Sequence, residues 1–118
     1  MLHGERGQAL VEFTLVLPIL LALVTAIVEF GIAYNHYVTL TDAARVGARA
    51  AAVSLDDPVT AGRTAARRSA AGLDPTITVT TDTTDVTVTA SEPETISIFG
   101  FPILTVDLSS TTTERREQ

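Results

Sequence analysis

The sequence feature that most constrains this chain is an uncharged apolar run from Phe13 to Val28. Two carboxylates, Glu12 and Glu29, stand at its ends, 17 residues apart, which is about 25 Å along an α-helix. A helix that crosses a bilayer needs roughly 20 mostly apolar residues, and a carboxylate near either boundary can reach towards water. The run therefore favours a membrane-spanning helix, with Pro18 inside it as a predicted kink.

Two other interpretations of this run stay open. A cleaved secretory signal peptide would carry Arg6 in its leader and a small-x-small cleavage site at residues 24–26. Against it, Glu12 falls beside the apolar region, and the helical pattern continues to about Val53. A buried core helix would need more apolar covering than the short, Thr-rich remainder of the chain supplies.

The composition excludes several classes of function. The net charge is −6, which argues against nucleic-acid binding, because affinity for phosphates comes from clustered cations. The chain has no cysteine, so it offers neither a disulfide nor a thiolate nucleophile. We find no spacing typical of a metal site or of a catalytic centre, and the two histidines, including His36, are isolated in the sequence. The sequence therefore predicts a protein that is not an enzyme, with no cofactor.

Helical periodicity continues beyond the apolar run, over residues 35–53. Ala44, Ala48 and Ala51 fall on one face, and side chains of this size let another helix or a sheet approach closely. Asp42 and Arg45 lie on a polar stripe opposite them and can pair three residues apart. We therefore expect the small residues to face the rest of the protein.

The C-terminal part predicts a short helix followed by a small sheet. Asp57 can cap a helix that begins at Pro58, runs over 58–71 and is ended by Gly72. Beyond it, side chains alternate with a period of two, which is typical of strands. The predicted strands are 76–81, paired with 85–91, and 104–109.

The alternation is interrupted by Glu-Pro-Glu at 92–94 and by Phe-Gly-Phe-Pro at 99–102. Proline lacks the N–H that a sheet needs, so we predict a loop over 92–102. Phe99 and Phe101 in it are either core residues or an exposed contact with a partner or with the bilayer. The predicted fold class is α+β, with a long N-terminal transmembrane helix that continues into a small domain of one short helix and about three antiparallel strands.

Four stretches of the N-terminal half together resemble a known family. The combination is similar to the TadE-like pseudopilins of tight-adherence, or Flp-type, pilus systems, over about residues 6–53. The stretches are Arg6-Gly7-Gln8-Ala9-Leu10-Val11-Glu12-Phe13, Leu15-Val16-Leu17-Pro18, Val28-Glu29-Phe30-Gly31 and Asp42-Ala43-Ala44-Arg45-Val46-Gly47-Ala48-Arg49.

The resemblance implies a processing event. In that family a membrane aspartic prepilin peptidase cuts after a leader glycine, and a glutamate becomes the fifth residue of the mature chain, followed by an aromatic residue. Here this implies cleavage between Gly7 and Gln8, with Glu12 fifth and Phe13 sixth. Glu12 would then set axial register against the new α-amino group, because a carboxylate and an ammonium buried together cost far less than either alone. For Glu29 we expect either a partner contact in the membrane or a simple reach to its outer boundary.

The resemblance also implies an organisation and a location. The protein would be a single-pass membrane protein, or part of the pilus, and would act in pilus assembly. Its partners would be the prepilin peptidase, other pilins and pseudopilins, inner-membrane pilus assembly proteins and membrane lipid. The expected parts are a leader at 1–7, a transmembrane helix at 8–34, its extracytoplasmic continuation at 35–53 and a small extracytoplasmic domain at 54–118.

Two alternatives of another class stay open. One is a bitopic membrane protein whose Thr-rich domain binds an extracytoplasmic ligand without entering a filament. The other is a secreted binding domain released by signal cleavage.

Overall fold

A single long helix forms the axis of the molecule. The computed structural model describes residues 2–70 and 72–116. Helix α1 is Leu2–Val53, 52 residues, which makes it about 78 Å long at 1.5 Å per residue. The molecule measures 85 × 19 × 19 Å, so every other element lies alongside this helix.

Helix α2, Pro58–Ser69, packs back against α1. It begins where expected, because the Asp57 carboxylate accepts a hydrogen bond from the backbone N–H of Thr60 at 3.2 Å and proline needs no partner at the first position. Hydrogen bonds from the Thr60 hydroxyl and then from its N–H hold the pKa of Asp57 below its ordinary value. The helix was predicted to reach residue 71, which lies outside the described residues.

Three strands form one antiparallel sheet in the order β1-β2-β3. Both helices pack on it, with α1 against β2 and β3 and α2 against β1. One long helix, one short helix and three antiparallel strands confirm the predicted α+β class. The strands are β1 at Thr76–Thr81, β2 at Asp85–Ile98 and β3 at Phe101–Arg115.

The predicted loop over 92–102 is wrong, because β2 and β3 continue through it as a hairpin. Pro93 is tolerated because β1 pairs only with residues 86–91 of β2. Within the described part of the chain, one edge of β2 therefore has no neighbouring strand at Pro93. Pro102 lies in β3, an edge strand, beside a register shift at Ile96/Ser97. Proline costs little where no ladder hydrogen bond is required of it.

The core is built mainly from small side chains. Leu40, Val86 and Val88 are the largest fully buried residues. The other buried residues of the cluster are Ala43, Ala44, Ala48, Ala51, Ala66, Ala70, Ile77 and Ala90. Ala44, Ala48 and Ala51 thus face the rest of the protein as expected, and only the C-terminal part of α1 contributes to this core.

Candidate assembly interface

The N-terminal part of α1 carries a large apolar surface that the protein itself does not cover. Every large hydrophobic side chain from Leu10 to Val28 is between 37% and 71% exposed. One 18-residue window of the helix has a mean hydropathy of 2.5 and is 0% buried. By length and composition this helix can cross a membrane. Its apolar side chains therefore need lipid or another protein around them.

The residues predicted for processing lie at the start of this surface. Gly7, Gln8, Glu12 and Phe13 all belong to α1 and are exposed. Within the described part of the chain, no hydrogen bond or ion pair involves the Glu12 carboxylate. It lies four residues after Gln8, or about 6 Å along the helix axis. The carboxylate is thus available to a group outside its own chain or to a new chain end at Gln8.

The predicted leader places two glycines, Gly4 and Gly7, inside α1. A Cβ atom added at Gly4 or at Gly7 would meet no atom of the described residues within 4 Å, so the packing described there does not require a glycine. Glycine inside a helix lowers stability by roughly 0.5–1 kcal/mol relative to alanine. These two residues therefore ease local unwinding, which a protease needs in order to bind an extended substrate.

Pro18 lies inside α1. It has no N–H to donate to the carbonyl of Thr14, and the Thr14 hydroxyl itself donates to the carbonyl oxygen of Leu10 at 2.8 Å. The carbonyl of Thr14 is therefore open to a donor from a neighbouring helix. The kink at Pro18 stays a prediction.

Polar contacts join α1 to the β2–β3 hairpin on the C-terminal side of the exposed apolar surface. Nδ1 of His36 lies 2.6 Å from Oε2 of Glu94, so this histidine, isolated in the sequence, has a carboxylate beside it in the fold. The backbone N–H of Ser97 donates to Oε2 of Glu29 at 3.4 Å, a long hydrogen bond. Oε2 of Glu92 is buried without a hydrogen-bond partner in the described structure.

Sequence reasoning missed these hairpin residues, although a signal for them exists. Val86, Val88 and Ala90 are buried at alternate positions. The same alternation, carried through the proline, places Glu92 and Glu94 on the face that packs against α1.

Asp42 and Arg45 on the polar stripe of α1 are exposed, and the pair predicted between them does not form in the described structure. The Asp42 carboxylate accepts a hydrogen bond from the Ser69 hydroxyl at 2.9 Å. It makes no ion pair with Arg45 within the described residues. Asp42 therefore connects α1 to the end of α2.

Residues 7–49 match the family model described as "TadE: TadE-like protein". The match begins at Gly7 and includes the whole exposed apolar surface of α1 and most of its buried part. No curated protein and no solved structure matches the chain. The TadE-like pilin family is a structural one. The resemblance seen in the sequence is confirmed over these residues: the segment 7–49 is TadE-like, and it supports a pilus-associated, pilin-like protein with a membrane-anchoring helix.

Proposed function

We propose that this protein is a TadE-like minor pilin, or pseudopilin, that acts in the assembly of a tight-adherence pilus. One observation carries the proposal: the segment that matches the family, 7–49, contains the long apolar surface that the folded part leaves bare. A helix of this kind serves first as a membrane anchor and then as a packing surface for the helices of other pilins.

Processing would prepare the helix for packing. A prepilin peptidase would cut between Gly7 and Gln8 and create an α-amino group one helical turn before Glu12. In a filament this ammonium would pair with the Glu12 carboxylate of its own or a neighbouring subunit. Buried charges are tolerated in such pairs and are very costly alone, so the pair would favour one axial register, as buried polar pairs do in coiled coils.

The proposed arrangement places the leader in the cytoplasm and the sheet outside it. The chain would cross the membrane once before assembly. Its partners would then be the peptidase, inner-membrane assembly proteins and other pilins, with lipid around the helix until it is extracted.

Photocrosslinking from the bare helix tests this function. The chain has no cysteine, so a benzophenone can be attached at a single Leu15→Cys or Ile19→Cys change, at positions 67% and 71% exposed. In membranes of cells that assemble the pilus, we expect both variants to form adducts with pilin subunits.

Leu55→Cys is the matched control. Leu55 is 73% exposed but lies between α1 and α2, away from the apolar surface, so we expect far fewer adducts from it. Adducts with lipid alone from both helix positions would contradict the packing role and favour a bitopic binding protein that does not enter a filament.

A further inference from the structure

The β2–β3 hairpin ends in an exposed apolar tip. We define the tip as Phe99, Phe101, Ile103 and Leu104, which are 53%, 71%, 63% and 54% exposed. The chain from Thr95 to Val106 contains no charged residue. Large apolar side chains grouped at a loop end usually mark a contact with another molecule or with a membrane.

The β2–β3 hairpin runs along α1 towards the exposed apolar part of that same helix. Glu94 contacts His36, and Ser97, three residues on, contacts Glu29. A step of three residues along a strand rises about 10 Å, and the step of seven residues from Glu29 to His36 along the helix rises about the same distance. The strand therefore runs antiparallel to the helix and continues, beyond Ser97, towards its N-terminus.

The tip consequently lies beside the apolar segment. Two or three more strand residues reach about 7–10 Å beyond Ser97, which is the level of residues 22–25 of α1. Ala22, Thr25 and Ala26 are half-buried there, on the same face as Glu29. Leu23 and Ile27, on the other faces at this level, are 58% and 64% exposed, so the apolar surfaces of the tip and of the helix are continuous.

The helix below the tip is just long enough to cross a bilayer. A hydrocarbon core of about 30 Å needs about 20 helical residues. A span of that length that ends at the level of the tip, residues 22–25, begins at residues 3–6, where the charged residues Glu5 and Arg6 lie. A membrane that this helix crosses therefore has its edge at the level of the tip.

We propose that the tip is a second membrane contact, seated among the lipid headgroups of the leaflet on the side of the folded body. Among the described residues, the outward edges of β2 beyond residue 91 and of β3 have no strand partner. Unpaired backbone groups are excluded from the hydrocarbon core. The tip stops at headgroup depth for this reason, while its side chains reach the acyl boundary.

The backbone at the tip supports a role for its side chains. Phe99 and Gly100 connect Ile98 to Phe101, with φ of 54° and 81°. A two-residue loop with two positive φ angles is of a type in which Asn-Gly is favoured. Phenylalanine is strained at a positive φ, so the backbone conformation of the turn does not explain why residue 99 is a phenylalanine.

Tryptophan fluorescence in vesicles tests the proposal. It rests on the membrane insertion in the proposed function, and not on cleavage or on a pilus. The chain has no tryptophan, so single reporters are free of background: Phe101→Trp at the tip, Leu15→Trp in the helix and Leu55→Trp far from both. The full chain is reconstituted in phosphatidylcholine, with or without bromine on the acyl chains.

We expect brominated lipid to quench the Phe101→Trp and Leu15→Trp reporters and to leave the Leu55→Trp reporter unchanged. Bromines near the headgroup should quench the tip more than deep ones. A tip reporter as unquenched as that of Leu55→Trp overturns the proposal, and blue-shifted emission without quenching shows that protein covers the tip and also overturns it. An unquenched Leu15→Trp reporter would show that the helix does not enter the membrane. That result would contradict both the proposed anchoring and the tip contact.

A second variant distinguishes the contribution of the tip side chains from an effect of unfolding the hairpin. Asparagine suits a positive φ, so Phe99→Asn together with Ile103→Ser should keep the hairpin, as checked by circular dichroism. In the Phe101→Trp background this pair should remove at least half of the quenching. Val53→Ser, at an exposed position away from the tip, should remove none. Full quenching in the tip variant contradicts the role of its side chains.

Discussion

Gly47 of α1 and Gly62 of α2 lie face to face where the two helices touch. A Cβ atom on Gly47 would stand 2.8 Å from the carbonyl oxygen of Gly62 and 2.9 Å from Cβ of Ala66. A Cβ atom on Gly62 would stand 3.1 Å from the carbonyl oxygen of Gly47. The helices approach this closely only because neither residue has a side chain, and this contact fixes α2 on the long helix.

Gly47→Ala should therefore destabilise the folded body. Overpacking of this kind costs about 1–3 kcal/mol, measured as the free energy of unfolding of the full chain in detergent micelles. The control is Gly31→Ala, also within α1, where an added Cβ meets nothing within 4 Å. It should be neutral or gain up to about 1 kcal/mol. Equal effects of the two changes would contradict the close helix contact.

The contact of His36 with Glu94 should hold the hairpin on the helix. A double-mutant cycle with His36→Ala and Glu94→Ala should give a coupling of about 1 kcal/mol. Each single change should also speed hydrogen exchange of the amides in residues 95–105. The other hydrogen bond that joins this part of the hairpin to α1 in the described structure is the long one from Ser97 to Glu29. Additive effects on stability, with unchanged exchange, would show that the 2.6 Å contact contributes nothing.

The cap of α2 should make stability depend on pH in acid. The folded-state pKa of Asp57 is lowered, so its stabilising effect is complete above the unfolded value of about 3.9 and is lost as the pH falls through the lowered folded value. Asp57→Asn should keep the cap and lose this pH dependence, and Asp57→Ala should lower stability at neutral pH. Asp56→Ala, one residue earlier, is the control and should change neither. Thermal unfolding between neutral and acid pH measures all three.

Glu12→Ala should leave processing intact and reduce incorporation into filaments. Removal of one partner of a buried ion pair costs about 3–5 kcal/mol, so incorporation should fall by more than about tenfold, which corresponds to 1.4 kcal/mol. Glu5→Ala is the control, because the proposed cleavage discards Glu5. Incorporation is measured as the amount of the protein in sheared pili relative to membranes, and normal incorporation of Glu12→Ala would rule out the register role.

Local patterns in the sequence predict much of this fold. The cap at Asp57, the change of period at Thr76 and the small face at Ala44 and Ala48 depend on neighbouring residues. The predicted processing signal that ends in Glu12 and Phe13 also lies within one continuous stretch, because a peptidase would bind it as an extended segment. These features can be recognised without knowing what packs against them.

The hairpin and its contacts depend on residues that are far apart. His36 and Glu94 are 58 residues apart, and Glu29 and Ser97 are 68 apart, so no local pattern indicates either contact. Pro93 breaks a strand by its local preference, and only the absence of a β1 neighbour makes it acceptable. The exposure of Phe99 follows from this hairpin and could not be predicted before it.

The first residue of the mature protein tests the central claim most directly. The chain contains no lysine, so an amine-reactive label marks the N-terminus alone, and tandem mass spectrometry of the N-terminal peptide identifies it even if an N-terminal glutamine has cyclised. The protein is taken from membranes of cells that contain a prepilin peptidase. Gly7→Leu should block processing without unfolding α1, because a Cβ atom added at this position meets no atom of the described residues within 4 Å. Gly4→Leu should leave processing intact.

The measurement itself has three readable outcomes. We predict Gln8 as the first residue of the wild-type protein and Met1 in the Gly7→Leu variant. A wild-type protein that begins at Met1 in the presence of the peptidase would contradict processing as a prepilin. A first residue at Ile27 would instead indicate removal of the apolar segment as a signal peptide, and would contradict the assembly helix altogether.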